Sequence, residues 1–197
     1  MSATIAEDFK TPVRRWRLTV EDFHRMGEAG IFTEDDRVEL IDGELIEMPP
    51  IGPKHVDTVN RLNRLFDRHV GDDKLVSIQN PVYLDRYGEV YPDVTILRER
   101  NYSDTNPRPN DVLLIIEVSD STLGYDRDTK IPRYAAHGIQ EVWIINVPER
   151  YVEIYRELRP EEQRYASCER IERGEIFAQG VPEVTLDLNT LWPSSRG

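Results

Sequence analysis

The sequence predicts a mixed α/β fold, an α+β arrangement with helices packed on a central sheet. Three observations carry this reading. Val112 to Ser119 and Val142 to Val147 are dense apolar runs of strand length. Val56, Val59, Leu62, Leu65, Phe66 and His69 recur at helical spacing. The elements come in the order helix, hairpin, helix, three strands, helix, two strands, which suits a mixed sheet and not regular βαβ alternation.

Thr19 reads as an N-cap for a helix from Val20 to Ala29, with Asp22 closing a capping box and Gly30 ending the helix. Val38 to Ile41 and Leu45 to Met48 flank Asp42-Gly43, a strong hairpin signal. A longer helix runs from about Lys54 to Val70, stopped by Gly71. Strands are expected over Leu75 to Leu84, Tyr91 to Leu97 and Val112 to Ser119, with a turn at Arg86-Tyr87-Gly88 and a loop over Asn101 to Asp111. A second core helix lies within Tyr125 to His137. Pro132 implies a kink or a late start there, because it removes an interior donor. Val142 to Val147 and Tyr151 to Tyr155 are strands. Glu157 to Gln163 reads as a charged link, and Ile171 to Phe177 and Val184 to Leu188 as edge strands.

At 197 residues the chain is expected to form one domain, 1–197, with residues 1–18 as an N-terminal arm and 157–197 as an accessory C-terminal segment. The lone Cys168 excludes an intrachain disulfide framework and a cysteine-rich metal site. No run approaches membrane-spanning length and Met1 to Thr11 lacks an apolar leader core, so no membrane partner and a cytoplasmic location are expected. Gly-x-Gly-x-x-Gly, Gly-Lys-Ser/Thr, His-Glu-x-x-His and Gly-x-Ser-x-Gly are all absent, which argues against dinucleotide, P-loop, zincin and serine-hydrolase chemistry. The net charge of -12 weighs against nucleic-acid binding, although local potential matters more than the total. Arg14, Arg15 and Arg17, and Arg61, Arg64 and Arg68, form small basic clusters that read either as solvated faces or as phosphate contacts.

The chemistry is concentrated in two carboxylates set into apolar runs. Asp93 follows Pro92 at a strand start, in phase with Tyr91, Thr95 and Leu97; Glu117 lies in phase with Leu113 and Ile115. A buried strand carries an unpaired carboxylate only at high cost, and a divalent cation offsets that cost. Adjacent strand ends would let Asp93 and Glu117 bridge one Mg²⁺, which prefers hard oxygen ligands, water and phosphate oxygen; Mn²⁺ would substitute. Each residue also has a bland reading, Asp93 as a strand-start aspartate and Glu117 as a solvated edge glutamate. Lys130 follows on the next helix. Asp126, four residues earlier, would give it an ordinary surface pair worth about 0.3 kcal/mol; the alternative is that it points at the carboxylates, with Arg127 and Tyr134 on the same face. Tyr134 reads first as a packing residue with a hydrogen-bonded hydroxyl.

The ordered set of Val38 to Met48, Gln79-Asn80-Pro81-Val82, Pro92-Asp93-Val94, Ile116-Glu117-Val118-Ser119, Tyr125-Asp126-Arg127 with Lys130, Tyr134-Ala135, Gly138-Ile139 and Val142-Trp143-Ile144 resembles the Uma-type restriction-endonuclease family of the PD-(D/E)XK nuclease superfamily. The resemblance spans about Thr19 to Tyr155 and implies a Mg²⁺-dependent DNA endonuclease with Asp93 and Glu117 as metal carboxylates. Most such folds place lysine two residues after the glutamate; Ser119 stands there, so Lys130 is the migrated substitute. The resemblance also places Glu39 near the metal, beside its alternative as a strand-edge glutamate. His55 opens the second helix, either as a polar cap or as a residue that orients water or phosphate. Gln79 reaches the same cleft. DNA is the expected partner, and a C2 homodimer is expected of nucleases that cut two strands. Two other readings stand beside the nuclease: a catalytically silent nucleic-acid- or protein-binding module on this fold, and a hydrolase of a small phosphorylated substrate.

Overall fold

The computed structural model describes residues 14–33 and 35–192, so most of the expected arm at 1–18 lies outside the described residues. Helix α1 (Val20–Glu28) starts at Thr19, whose side chain accepts from the Asp22 backbone while Asp22 reaches back to the Thr19 backbone. The hairpin β1 (Val38–Ile41) and β2 (Glu44–Glu47) turns at Asp42 and Gly43, both with positive φ, at 54° and 82°. Helix α2 (Pro53–His69) follows. Its buried face is His55, Thr58, Val59, Leu62 and Phe66. Val56 and His69, assigned to the apolar stripe from spacing, are exposed: the stripe keeps Val59, Leu62 and Phe66 and takes in the polar His55 and Thr58 at its N-terminal end.

The expected single strand at Leu75 to Leu84 is two strands in two sheets, β3 (Lys74–Ile78) and β4 (Val82–Asp85). Gln79, at φ 51°, and Pro81 separate them: a left-handed residue and a missing donor cannot continue a ladder. The turn expected at Arg86-Tyr87-Gly88 leads into a short strand, β5 (Gly88–Val90). The second expected strand, Tyr91 to Leu97, starts later than expected, as β6 (Val94–Arg98), and the third, β7 (Val112–Ser119), lies where expected.

From Leu123 to Ala136 the backbone stays helical: α3 (Leu123–Tyr125), a π-helical turn at Asp126–Lys130, and α4 (Ile131–Ala136). Pro132 stands in the first turn of α4. Its ring has no N–H and crowds the carbonyl four residues back, and the wider turn before it relieves both; the Ile131 N–H reaches the Asp126 carbonyl across five residues. The expected kink is therefore an inserted π turn. Strands β8 (Val142–Asn146), β9 (Tyr151–Arg159), β10 (Arg164–Ile171), β11 (Glu175–Ala178) and β12 (Val181–Asp187) and helix α5 (Leu188–Leu191) complete the described chain. The expected link at 157–163 is the end of β9 plus a short 3₁₀ turn at Pro160–Glu162, and the expected strand at Ile171 to Phe177 is instead the junction of β10 and β11, around Gly174 at φ 95°.

The six-stranded sheet has the order β10-β9-β8-β7-β6-β3, with β7 and β8 parallel and the other neighbours antiparallel. Both faces are covered, which explains the nearly unbroken apolar run of β7. One face packs Val94, Ile96, Leu114, Ile116, Trp143 and Ile145 against Leu62 and Phe66 of α2 and against Ile176, Val181 and Leu186 of the β11–β12 hairpin. The other packs Leu97, Ile115, Val142 and Ile144 against Ile131, Tyr134 and Ala135 of α4 and against the second sheet, β2-β1-β5-β4, through Ile41, Val82 and Val90. The segment from 157 on thus supplies an edge strand to the large sheet and part of its core.

Val94 pairs with Ile116, so the next residues outward, Asp93 and Glu117, are neighbours across the β6–β7 ladder. Strand alternation turns both side chains toward the face that carries α4. Glu39 shares its side of β1 with Ile41 and faces the same way.

The turn of the β1–β2 hairpin admits little change. A Cβ at Gly43 would lie 2.6 Å from Arg17 Cβ and 3.0 Å from Arg17 Cα, in a left-handed conformation. Gly43→Ala is expected to destabilise the protein by about 1–3 kcal/mol in urea unfolding; an unchanged midpoint would show that the turn relaxes freely.

Candidate active site

Five charged side chains meet where β1, β6, β7 and the 123–136 helix converge: Glu39, Asp93, Glu117, Asp126 and Lys130, each buried to 6% exposure or less. Lys130 Nζ donates to Glu39 Oε1 at 3.0 Å and to Glu117 Oε1 at 3.2 Å. Of the two readings of Lys130, the structure has the inward one; the surface pair with Asp126 is not formed. The Tyr134 hydroxyl, one turn on, also donates to Glu117 Oε1. Asp93 accepts from the Val118 N–H at 2.9 Å on Oδ2, and from Gln79 Nε2 at 3.1 Å and His55 Nε2 at 3.0 Å on Oδ1. Glu39 Oε1 also accepts from the Tyr91 N–H at 3.1 Å, which ties β1 to the residue before Pro92.

Asp93, Glu117, Lys130, Glu39, His55 and Gln79, singled out from sequence, therefore lie together. Arg127, expected on the face of Lys130, does not: the π turn carries it outward to Glu153 and the Tyr151 hydroxyl. Arg61, Arg64 and Arg68 do not reach the site either; they lie on the exposed face of α2, where Arg61 pairs with Asp57. Asp126, read only as a helix-pair partner, is a buried member of the cluster. It accepts from Thr122 Oγ1 at 2.8 Å and from Ser119 Oγ, the side chain at the position where the resemblance expects lysine. The sequence signal for it is the proline six residues on, whose π turn rotates Asp126 inward. Arg37, not singled out, lines the small cavity over the cluster; among the described residues the lysine and arginine side chains there are Arg37 and Lys130.

Four carboxylates surround one ammonium, so full ionisation would leave an excess of negative charge out of water, which is costly. The groups divide the burden unequally. Burial pushes Glu117 up, Lys130 pulls it down, and Asp126, Asp93 and Glu39 push it up again, to about 8. Burial likewise raises Asp126 against its lysine and hydroxyl partners. Burial also opposes ionisation of Asp93, but His55, the Val118 N–H and Gln79 outweigh it and hold Asp93 below the usual range. Burial alone would lower Lys130; its four acidic neighbours raise it, so the ammonium stays charged and is no general base. Tyr134 is raised well above the ordinary tyrosine, chiefly by burial, and stays a donor.

Among the described residues, three buried atoms at or beside the site lack any partner: Glu39 Oε2, His55 Nδ1 and the Tyr125 hydroxyl. Among the described residues no group of three or more His, Cys, Asp or Glu side chains is arranged to hold a metal ion. The donor set nevertheless fits Mg²⁺ or Mn²⁺, which commonly takes one or two carboxylates and fills its remaining positions with water and phosphate oxygen. The cavity over the cluster, about 50 Å³, has room for an ion and a few waters.

The raised Glu117 has a stability consequence of definite sign. Its contribution is fully present below the ordinary value near 4.5 and is lost as pH rises through about 8. Between pH 5 and pH 9, with chelator present, the parent is expected to lose a few kcal/mol more than Glu117→Gln in urea unfolding. Equal losses would contradict the assignment.

Residues 20–189 match the family model Uma2, described as "Putative restriction endonuclease". Among solved structures, the chain is similar to a "putative nuclease belonging to DUF820" from Anabaena variabilis, at a TM-score of 0.65 and 15% identity, over 88% of this chain and 97% of that one. At that identity the likeness speaks for the fold. No curated protein matches the chain. The mixed α/β architecture is thus one related to the restriction-endonuclease-like superfamily, and the chain, matched over most of its length, belongs to the Uma2 family.

Proposed function

We propose that this protein is a metal-dependent endonuclease that hydrolyses DNA phosphodiester bonds on a PD-(D/E)XK-type core. The observation that carries the reading is the convergence of Asp93, Glu117 and Lys130, from three elements, beneath one small cavity. A soluble fold has no structural need for four buried carboxylates around one lysine, and such clusters mark functional sites. The Uma2 match supports nuclease chemistry as the class.

Asp93 and Glu117 would hold Mg²⁺ or Mn²⁺, which when bound supplies charge stabilisation at a phosphate oxygen and a more acidic water. The chain's own groups do the rest. Asp93 stays ionised and is fixed by three donors, so its carboxylate is aimed in advance. Lys130 stays charged and offers a fixed cation to the negative charge that builds up as water oxygen bonds to phosphorus and the sugar oxygen leaves. Glu39 and Tyr134 hold the lysine and Glu117 in register. His55 bonds from Nε2 to Asp93 and so helps to hold that carboxylate in place, while its Nδ1 is buried without a partner.

One observation favours the silent-module reading: Lys130 and Tyr134 both occupy Glu117 Oε1, and no three-ligand group stands ready among the described residues. Turnover separates the two. Purified protein is expected to nick or cut DNA with Mg²⁺ or Mn²⁺ and not with chelator. Lys130→Gln is expected to stay folded by circular dichroism, retain Mn²⁺ binding in calorimetry, and cut at least roughly a hundredfold more slowly. Lys130→Arg is expected to rescue poorly, since a planar guanidinium does not replace an ammonium. Parent-like cutting by Lys130→Gln would remove the lysine from the mechanism, and a parent that never cuts would favour the silent module.

A further inference from the structure

Beside the acidic site lies a second, larger space of about 740 Å³ between α1, the first hairpin and the residues Phe32, Thr33, Asp36 and Arg37 that precede it. It shares Arg37, Met48, Ile51 and Tyr91 with the cavity over the carboxylates, so the two adjoin. Their linings differ. The small cavity is acidic and has no room for a base and sugar, whereas the groove is of the size that takes an organic ligand. Phe23, Phe32 and Tyr91 contribute aromatic surface to its otherwise mixed lining. Phe32 stacks on Phe23 with ring centroids 5.0 Å apart and planes 27° apart. It also lies so close to Gly27 that a Cβ there would come within 3.2 Å of the ring, which fixes the ring's tilt. Glu39 and Gln79 stand on the groove's inner side, and both also bond into the acidic cluster. Arg37 stands where groove and cavity join, braced by donation from Nη1 to the Pro49 carbonyl at 2.6 Å.

We propose that this groove receives an unpaired nucleobase from the nucleotide next to the scissile phosphate, with Arg37 holding that nucleotide's phosphate. The proposal rests on the nuclease reading and names its substrate: a single strand, or a strand with an unstacked nucleotide. The chemistry matches part for part. Aromatic surface serves a base's flat face, polar groups at the inner end serve its edge, and a guanidinium at the junction serves the phosphate. A paired base hides its faces in the stack and offers only edges, so a duplex leaves this surface unused. The charge of -12 argues in the same direction, since a single strand brings a lower density of phosphate charge than a duplex.

The test measures binding in chelator, where cutting does not occur, and so does not depend on turnover. A single-stranded 15-mer is expected to bind more tightly than its duplex, and 2-aminopurine within it to lose fluorescence on binding. Phe32→Leu keeps an apolar group over Gly27 and removes the stacking surface. It is expected to weaken single-strand binding roughly tenfold and to abolish the quenching. Arg37→Ala is expected to weaken single-stranded and abasic oligonucleotides alike and to flatten the salt dependence. Equal affinity for duplex and single strand together with a silent Phe32→Leu would overturn the proposal, as would failure to bind any oligonucleotide at low salt. Hydrolysis of bis(p-nitrophenyl) phosphate, which carries no base, reports on the acidic site alone. Such hydrolysis without a single-strand preference sinks the groove and spares the nuclease; base stacking without any hydrolysis does the reverse.

Discussion

Lys130 carries a buried positive charge at the point where three otherwise separate pieces of chain meet. Its ammonium bonds to Glu39 on β1 and Glu117 on β7 from the helical segment between 123 and 136. Removing any of the three partners from that arrangement leaves a charge in a place with little water, which is far more costly than losing an exposed pair. The small sheet, the large sheet and the helix are therefore held in one relative placement by electrostatics as well as by the apolar packing around Ile115, Tyr134 and Ile41. The arrangement is incompletely balanced, because four carboxylates face one lysine. Burial first, and the neighbouring carboxylates after it, raise Glu117 and Asp126, and the shortage of positive charge is the physical reason a divalent cation suits the site.

The π turn at Asp126–Lys130 is what makes the geometry attainable. Pro132 forbids an ordinary helix over the preceding turn, and the extra residue changes which side chains face inward. Asp126 and Lys130 come to the interior while Arg127 goes out to Glu153. A lysine two residues after Glu117 would reach the cluster from the strand itself. Here Ser119 occupies that place and bonds to Asp126, and the cation arrives from the helix.

Much of this was legible beforehand because it rests on local rules. Thr19 and Asp22 announce α1, Asp42-Gly43 announces the hairpin, and carboxylates inside apolar runs announce the buried acidic cluster. The break after Ile78 was only half legible: Pro81 inside the run signals it, but the left-handed Gln79 that completes it is favoured by no local preference. The strand β10 escaped for a different reason. It is a sheet edge with one side in water, so Arg164 to Ile171 carries charges where alternation would otherwise show. Asp126 and Arg127 were misplaced because helical spacing was taken as regular through a segment that is not. Arg37 gave no signal at all: its role comes from the junction of two cavities, which exists only in three dimensions.

The central claim is that the buried acidic cluster is short of positive charge and that a divalent cation supplies it through Glu117. Carboxyl-carbon NMR of the ¹³C-labelled protein, with Glu117→Gln to assign the resonance, tests this at the atom concerned. Without metal, the Glu117 carboxyl is predicted to titrate near pH 8, and Mg²⁺ to ionise it well below that. A Glu117 that titrates like an exposed glutamate, or whose resonance ignores saturating Mg²⁺, would contradict the account.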